Sequence, residues 1–119
     1  LLIVYGIRNC DSVRKACKLL DEYCVDYNFH DYKKAGADES VLSDACERFG
    51  WDAVLNKRGT TWRKLDDETK ASVTDQDHAI ALMVRETSLI KRPLVLCGKQ
   101  PLLGFNAVLW REILEKGEL

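Results

Sequence analysis

The opening segment constrains this chain most, because its hydrophobic period changes twice within a short distance. Leu1 to Tyr5 is a continuous apolar run closed by Gly6. Its length and β-branching suit a buried strand. Ile7 to Ser12 is a polar turn rich in capping residues. From Val13 the apolar positions recur at helical spacing: Val13, Ala16, Cys17, Leu20 and Cys24, with Arg14, Lys15, Lys18, Asp21 and Glu22 facing outward. Asp26 to Tyr32 then alternates aromatic and polar residues as a second strand. Strand, helix and strand in this order predict a parallel pair joined by a right-handed crossover.

Lys33 to Asp38 reads as a loop. The middle of the chain is helical. Val41, Leu42, Ala45, Cys46 and Phe49 form one stripe, ended by Gly50. Trp51 to Leu55 is a short apolar turn, and Asn56 to Trp62 is polar and basic around Gly59. Thr74 and Asp75 cap a further helix carrying Ala79, Leu82 and Met83. Pro93 opens the apolar run Leu94 to Cys97, Gly98 to Pro101 makes a turn, and Leu102-Leu103 is a hairpin partner ending at Gly104. Asn106 can cap a last helix with Val108, Leu109 and Ile113 on its inner face and Trp110 at the margin. The element order β–α–β, helices, β–β–α predicts an α/β fold: a thioredoxin-like mixed four-stranded sheet with a helical insertion. The expected organisation is one domain over 1–119, with the frame in 1–34 and 90–119 and the insertion in 35–89.

At 119 residues a single core needs no disulfide staples. Lys plus Arg number 18 against 19 Asp plus Glu, a net charge of −1. That balance argues against direct nucleic-acid binding, which needs excess cations. No apolar run approaches a bilayer span and no signal peptide is visible, so neither a membrane nor secretion is expected. The five cysteines, Cys10, Cys17, Cys24, Cys46 and Cys97, contain no C-x-x-C, and His30 and His78 are the only histidines. A metal site is therefore not expected. Free thiols point to a reducing compartment, the cytoplasm.

Cys10 stands where the first strand hands over to its helix. The unpaired N–H groups and partial positive charge of a helix N-terminus favour a thiolate. Arg8 lies two residues before it and Arg14 four after, on the side of the first turn. A fall of the thiol pKa from about 8.5 to about 6 raises the thiolate fraction at neutral pH from roughly 3% to roughly 90%. The matching loss of nucleophilicity is about 10- to 18-fold, so attack gains only about two- to three-fold. The larger gain is that Cys10 leaves readily from a mixed disulfide. Cys17, Cys24 and Cys46 lie on apolar stripes and read as buried hydrophobes. Cys17 is about 10 Å along the helix from Cys10, too far for a disulfide. The position three after Cys10 is Val13, so no local thiol resolves a Cys10 adduct, which leaves an external thiol or Cys97.

Basic pairs recur at Lys57-Arg58, Arg63-Lys64 and Lys91-Arg92. Arg92-Pro93 differs because an apolar strand follows. A proline there can be cis, and it offers a carbonyl rather than a ladder N–H to an extended ligand. His30 reads as a plain strand-end residue. Trp51, Trp62 and Trp110 read as core or rim aromatics.

Four stretches together resemble the ArsC/Spx superfamily, and its YffB branch in particular: Tyr5-Gly-Ile-Arg-Asn-Cys-Asp11, Asn56-Lys-Arg-Gly-Thr-Thr-Trp-Arg-Lys-Leu65, Ile90-Lys-Arg-Pro93 and Leu103-Gly-Phe105. The resemblance implies a thioredoxin-like fold with a helical insertion, a reactive cysteine at Cys10 and a cis-proline at Pro93. In the arsenate reductases the catalytic cysteine matches Cys10, and two arginines match Arg14 and Arg92. Their histidine four residues before the cysteine falls on Gly6, their middle arginine on Asn56 beside Arg58, and their last anion-binding arginine near Phe105. The missing cations argue against arsenate as substrate. In the Spx regulators a C-x-x-C senses oxidants, and here its second position is Val13.

The resulting expectation is a glutathione-dependent thiol oxidoreductase. Cys10 forms the mixed disulfide, and Arg14, Arg58, Arg92 and Pro93 hold the thiolate and an anionic ligand, with Arg8 and Asn9 nearby. Glutathione is the expected co-substrate and an oxidised thiol the expected substrate, with no bound cofactor. The alternatives are an Spx-like module docking on a protein such as RNA polymerase, and an arsenate reductase.

Overall fold

The structure is a computed structural model and describes residues 2–119. In chain order its elements are β1 (Leu2–Gly6), α1 (Asp11–Glu22), β2 (Tyr27–Asp31), α2 (Tyr32–Ala35), α3 (Glu39–Phe49), α4 (Trp51–Val54), α5 (Thr60–Arg63), α6 (Asp67–Ser72), α7 (Gln76–Arg85), a 3-10 turn (Thr87–Leu89), β3 (Leu94–Leu96), β4 (Leu102–Leu103) and α8 (Ala107–Glu115). They form two compact units, residues 2–35 with Arg92–Leu119, and Gly36–Lys91. No helix among the described residues is long and apolar enough to cross a membrane.

The first unit is built on a four-stranded sheet in the order β2-β1-β3-β4. β1 and β2 are parallel, with Leu2 opposite Tyr27 and Tyr5 opposite His30. β3 runs antiparallel to β1, with Ile3 opposite Leu96 and Tyr5 opposite Leu94. β4 is antiparallel to β3. This mixed sheet with its helices is the thioredoxin-like α/β arrangement that the element order predicts. Strand alternation sends Leu2, Val4, Val95 and Leu102 to one face, where Ala16, Leu19 and Leu20 of α1 and Trp110 and Ile113 of α8 bury them. Each large apolar side chain so buried contributes roughly 1.5–3 kcal/mol. Gly6 lets β1 pass close under α1: a Cβ there would lie 2.8 Å from Val13 Cγ2.

The second unit is helical around Leu42, Ala45, Cys46, Val54, Ala79, Leu82, Met83 and Leu89, all buried. Three of its helices, α3, α6 and α7, start at side-chain caps. Asp38 Oδ1 accepts the Ser40 N–H at 2.8 Å, Asp66 Oδ1 the Thr69 N–H at 2.7 Å, and Asp75 Oδ1 the His78 N–H at 2.9 Å. α3 stops at Gly50, whose φ of +87° suits glycine alone. Leu55 pairs with Ile90 in an isolated antiparallel bridge.

Several local expectations are corrected. α2 occupies Tyr32–Ala35, inside the expected second strand and loop. α5 occupies Thr60–Arg63, and α6 lies where no helix was expected. Cys24 is not on the buried stripe: α1 ends at Glu22, and Cys24 is exposed with φ +55°. In α8, Val108 is 71% exposed and Leu109 44% exposed, whereas Trp110 and Ile113 are buried. The helix turns its largest ring, Trp110, to the sheet, and that sets its rotation.

Candidate active site

Cys10 ends the connection from β1 and is the N-cap of α1, with extended backbone (φ −145°, ψ 123°). Its carbonyl accepts the Arg14 N–H at 2.9 Å, the first hydrogen bond of the helix. The neutral thiol makes no capping hydrogen bond of ordinary geometry. The anion fares differently. Burial is the largest single influence and pushes the thiol pKa up. It is outweighed by the Val13 N–H, by the Arg92 guanidinium through hydrogen bonding and charge, and by the Ser12 N–H, so the pKa lies below the ordinary value. Two of these groups are donors that a helix start leaves unpaired, so the site follows from where α1 begins.

Arg92 reaches this place through strand register. Leu94, the first residue of β3, lies opposite Tyr5 of β1, and Arg92 precedes it by two residues. The Arg92–Pro93 peptide is cis. The Pro93 carbonyl accepts the Gly104 N–H at 2.8 Å, which ties it to the turn after β4.

The other expected residues go elsewhere. The Arg14 guanidinium pairs with Asp11 and donates to Asn9 Oδ1 at 3.4 Å. It is not among the groups that lower the Cys10 pKa. Two acceptors on the same turn hold it off the sulfur. Arg8 lies over the Phe29 ring, 4.4 Å from the centroid. Arg58 belongs to the second unit and is exposed, with its N–H on Asn56 Oδ1 at 3.1 Å.

All five cysteines are free. Burial raises the pKa of Cys17 and of Cys46. Cys97 follows Leu96, which lies opposite Ile3, so it sits at the end of the sheet where β1 begins. Cys10 lies beyond the other end of β1. At about 3.3 Å per residue the two are separated by well over 10 Å, beyond disulfide reach. Cys97 is therefore not an internal partner for Cys10 in this fold. Among the described residues no cluster of three or more His, Cys, Asp or Glu can hold a metal ion.

An aromatic group near the site escaped the sequence reading. The rings of Tyr5 and His30 lie 5.1 Å apart, Tyr5 and Tyr32 6.2 Å, and His30 and Tyr32 5.7 Å. His30 is thus part of a cluster rather than a plain strand end. Tyr5 lies opposite His30 in the parallel pair, and Tyr32 opens α2 directly after β2, a proximity that only the fold brings about.

The sequence model of the ArsC family matches residues 5–113. A YffB protein of known structure is 44% identical, superposes with a TM-score of 0.89, and is matched over 96% of this chain and 99% of its own. An arsenate reductase (ArsC) related protein from Brucella melitensis is 35% identical with a TM-score of 0.72, over 93% of this chain and 92% of its own. The global transcriptional regulator Spx of Streptococcus pyogenes is 29% identical over 82% of this chain and 73% of its own. The protein belongs to the ArsC family and resembles its YffB branch most clearly along nearly its whole length.

Proposed function

We propose that this protein is a single-cysteine thiol oxidoreductase that uses glutathione. The observation that carries this reading is the lowered pKa of Cys10, held down by two helix-start amides and Arg92. The Cys10 thiolate attacks the glutathione sulfur of a glutathionylated thiol. A Cys10–glutathione disulfide forms, and the substrate sulfur leaves as a thiolate that takes a proton from water. A second glutathione thiolate attacks that disulfide, releasing oxidised glutathione and restoring the Cys10 thiolate. Arg92 stabilises the thiolate as nucleophile and leaving group and attracts the anionic ends of the tripeptide. Free cysteines fit a reducing, cytoplasmic setting. The test is glutathione-coupled reduction of bis(2-hydroxyethyl) disulfide by the protein, Cys10→Ser and Cys17→Ser. Loss in Cys10→Ser with near-full activity in Cys17→Ser supports the reading. Equal activity in both variants refutes it.

A second reading has the similarity to Spx in its favour. A thioredoxin-like surface, with Val108 exposed at 71%, would dock on a protein such as RNA polymerase. The C-x-x-C switch is absent, because Val13 holds its second place. Capture of RNA polymerase by both the protein and Cys10→Ser would favour this reading. Arsenate turnover with glutathione and glutaredoxin is the remaining arm, and little or none is expected.

A further inference from the structure

We propose that the groove between α1 and α8 is a docking site for a protein segment that presents an apolar side chain flanked by carboxylates. This deepens the docking reading by naming the surface and the chemistry of the partner, and it rests on that reading's premise that the chain engages another protein. It uses neither Cys10 nor Arg92.

The groove lies within the first unit and has a volume of about 210 Å³. Helical spacing builds its two walls. Lys15, Lys18 and Glu22 recur three and four residues apart along one side of α1, and Ala107 and Arg111 lie four apart on α8. Leu19 and Phe105 add apolar lining. The two helices are tied together across the C-terminal end of α1, where Glu22 pairs with Arg111 at 3.7 Å and the Tyr23 hydroxyl donates to Glu115 Oε1 at 3.2 Å. The Phe105 ring is held edge-on against the buried Trp110, 5.2 Å between centroids, so the apolar lining has a fixed support. Val108 stands three residues before Arg111 and is exposed, which adds apolar surface beside the α8 wall.

Charge decides what the groove fits. Its lining carries three cations, Lys15, Lys18 and Arg111, and one carboxylate, Glu22, which is already paired with Arg111. None of the ion pairs among the described residues involves Lys15 or Lys18. Apolar lining beside unpaired cations complements a segment that carries both an apolar anchor and carboxylates. A nucleic-acid strand would use the cations and leave the apolar lining idle, and the net charge of −1 opposes it.

The test selects a random peptide library on the protein and titrates the enriched peptides by fluorescence anisotropy against the protein and three variants. Lys15→Glu with Lys18→Glu reverses the free charges. Ala107→Trp fills the groove without changing its charge. Glu22→Gln removes the opposing carboxylate. The enriched peptides should carry Asp or Glu around Leu, Phe or Trp. They should bind about ten-fold or more weakly to the double variant and to Ala107→Trp, and at least as tightly to Glu22→Gln, with affinity falling as salt rises. The Cys10 alkylation rate of Ala107→Trp should match that of the unaltered protein, which shows the frame intact. No enrichment, enriched peptides without carboxylates, or equal binding to all variants overturns the proposal. A dimer of the unaltered protein that Ala107→Trp dissociates overturns it as well, because a second copy then fills the groove. Peptide binding without capture of RNA polymerase supports the groove and removes that partner. Capture of RNA polymerase by the double variant, with no peptide enriched, removes the groove and leaves the docking reading standing.

Discussion

Arg92, and not Arg14, is the guanidinium that holds the Cys10 thiol below its ordinary pKa. Arg14 is nearer in sequence, but its head group is tied to Asp11 and Asn9. Arg92 comes from the far end of the chain and is delivered by the pairing of β3 with β1. The lowered pKa of Cys10 thus depends on long-range strand pairing as well as on the local helix start.

Substitutions at the two arginines should separate these contributions. Arg92→Gln removes a hydrogen bond and a charge from the thiolate, so the Cys10 pKa should rise and alkylation at neutral pH should slow several-fold. Arg14→Gln should move the midpoint far less. It should lower stability by less than about 1 kcal/mol, because the Arg14–Asp11 pair is largely exposed. Rate against pH for iodoacetamide modification measures both effects, and an Arg14→Gln shift as large as that of Arg92→Gln would reverse the assignment.

Stability should depend on pH through Cys10. The folded thiol has a lowered pKa, so between that value and the unfolded value of about 8.5 the unfolded chain binds more protons. The resulting stabilisation is fully present above the unfolded pKa and is lost as pH falls through the folded one. Chemical denaturation from about pH 5 to pH 9 should show the protein gaining stability relative to Cys10→Ser as pH rises. A flat difference would mean that the folded and unfolded pKa values coincide.

Gly6 should tolerate no side chain cheaply. A Cβ would press against Val13 at 2.8 Å and 3.3 Å and touch Phe29 at 3.6 Å. Gly6→Ala should cost about 1–3 kcal/mol through overpacking under α1, measured by urea denaturation.

Oxidation should not link Cys10 to Cys97. The two sit at opposite ends of the sheet. Diamide with glutathione should give a Cys10–glutathione adduct by peptide mass mapping, and Cys97→Ser should leave its yield and its resolution unchanged within about two-fold. A Cys10–Cys97 peptide in appreciable yield would require local unfolding of β3.

The β–α–β opening, the helix at Val41–Phe49, the cap at Asp75 and the strand after Pro93 were legible because each carries a long period or a strong punctuating residue. α2 and α5 span one turn each and α6 only six residues, too short to establish a period. Cys24 continued the apolar spacing of α1 past its true end, because spacing alone does not mark where a helix stops. At the site, Cys10 was readable from its junction. The preference for Arg92 over Arg14 was not, because it depends on which carboxylate and amide a flexible guanidinium finds first. The burial of the Tyr32 hydroxyl without a hydrogen-bond partner was not legible, since only the fold shows it.

The most direct test is a titration of Cys10 alkylation against pH, followed by mass spectrometry of the Cys10 peptide in the unaltered protein. The predicted result is a single midpoint clearly below the free-thiol value of about 8.5. A midpoint at or above that value would show that burial outweighs Arg92 and the helix amides, and would contradict a thiolate-based activity.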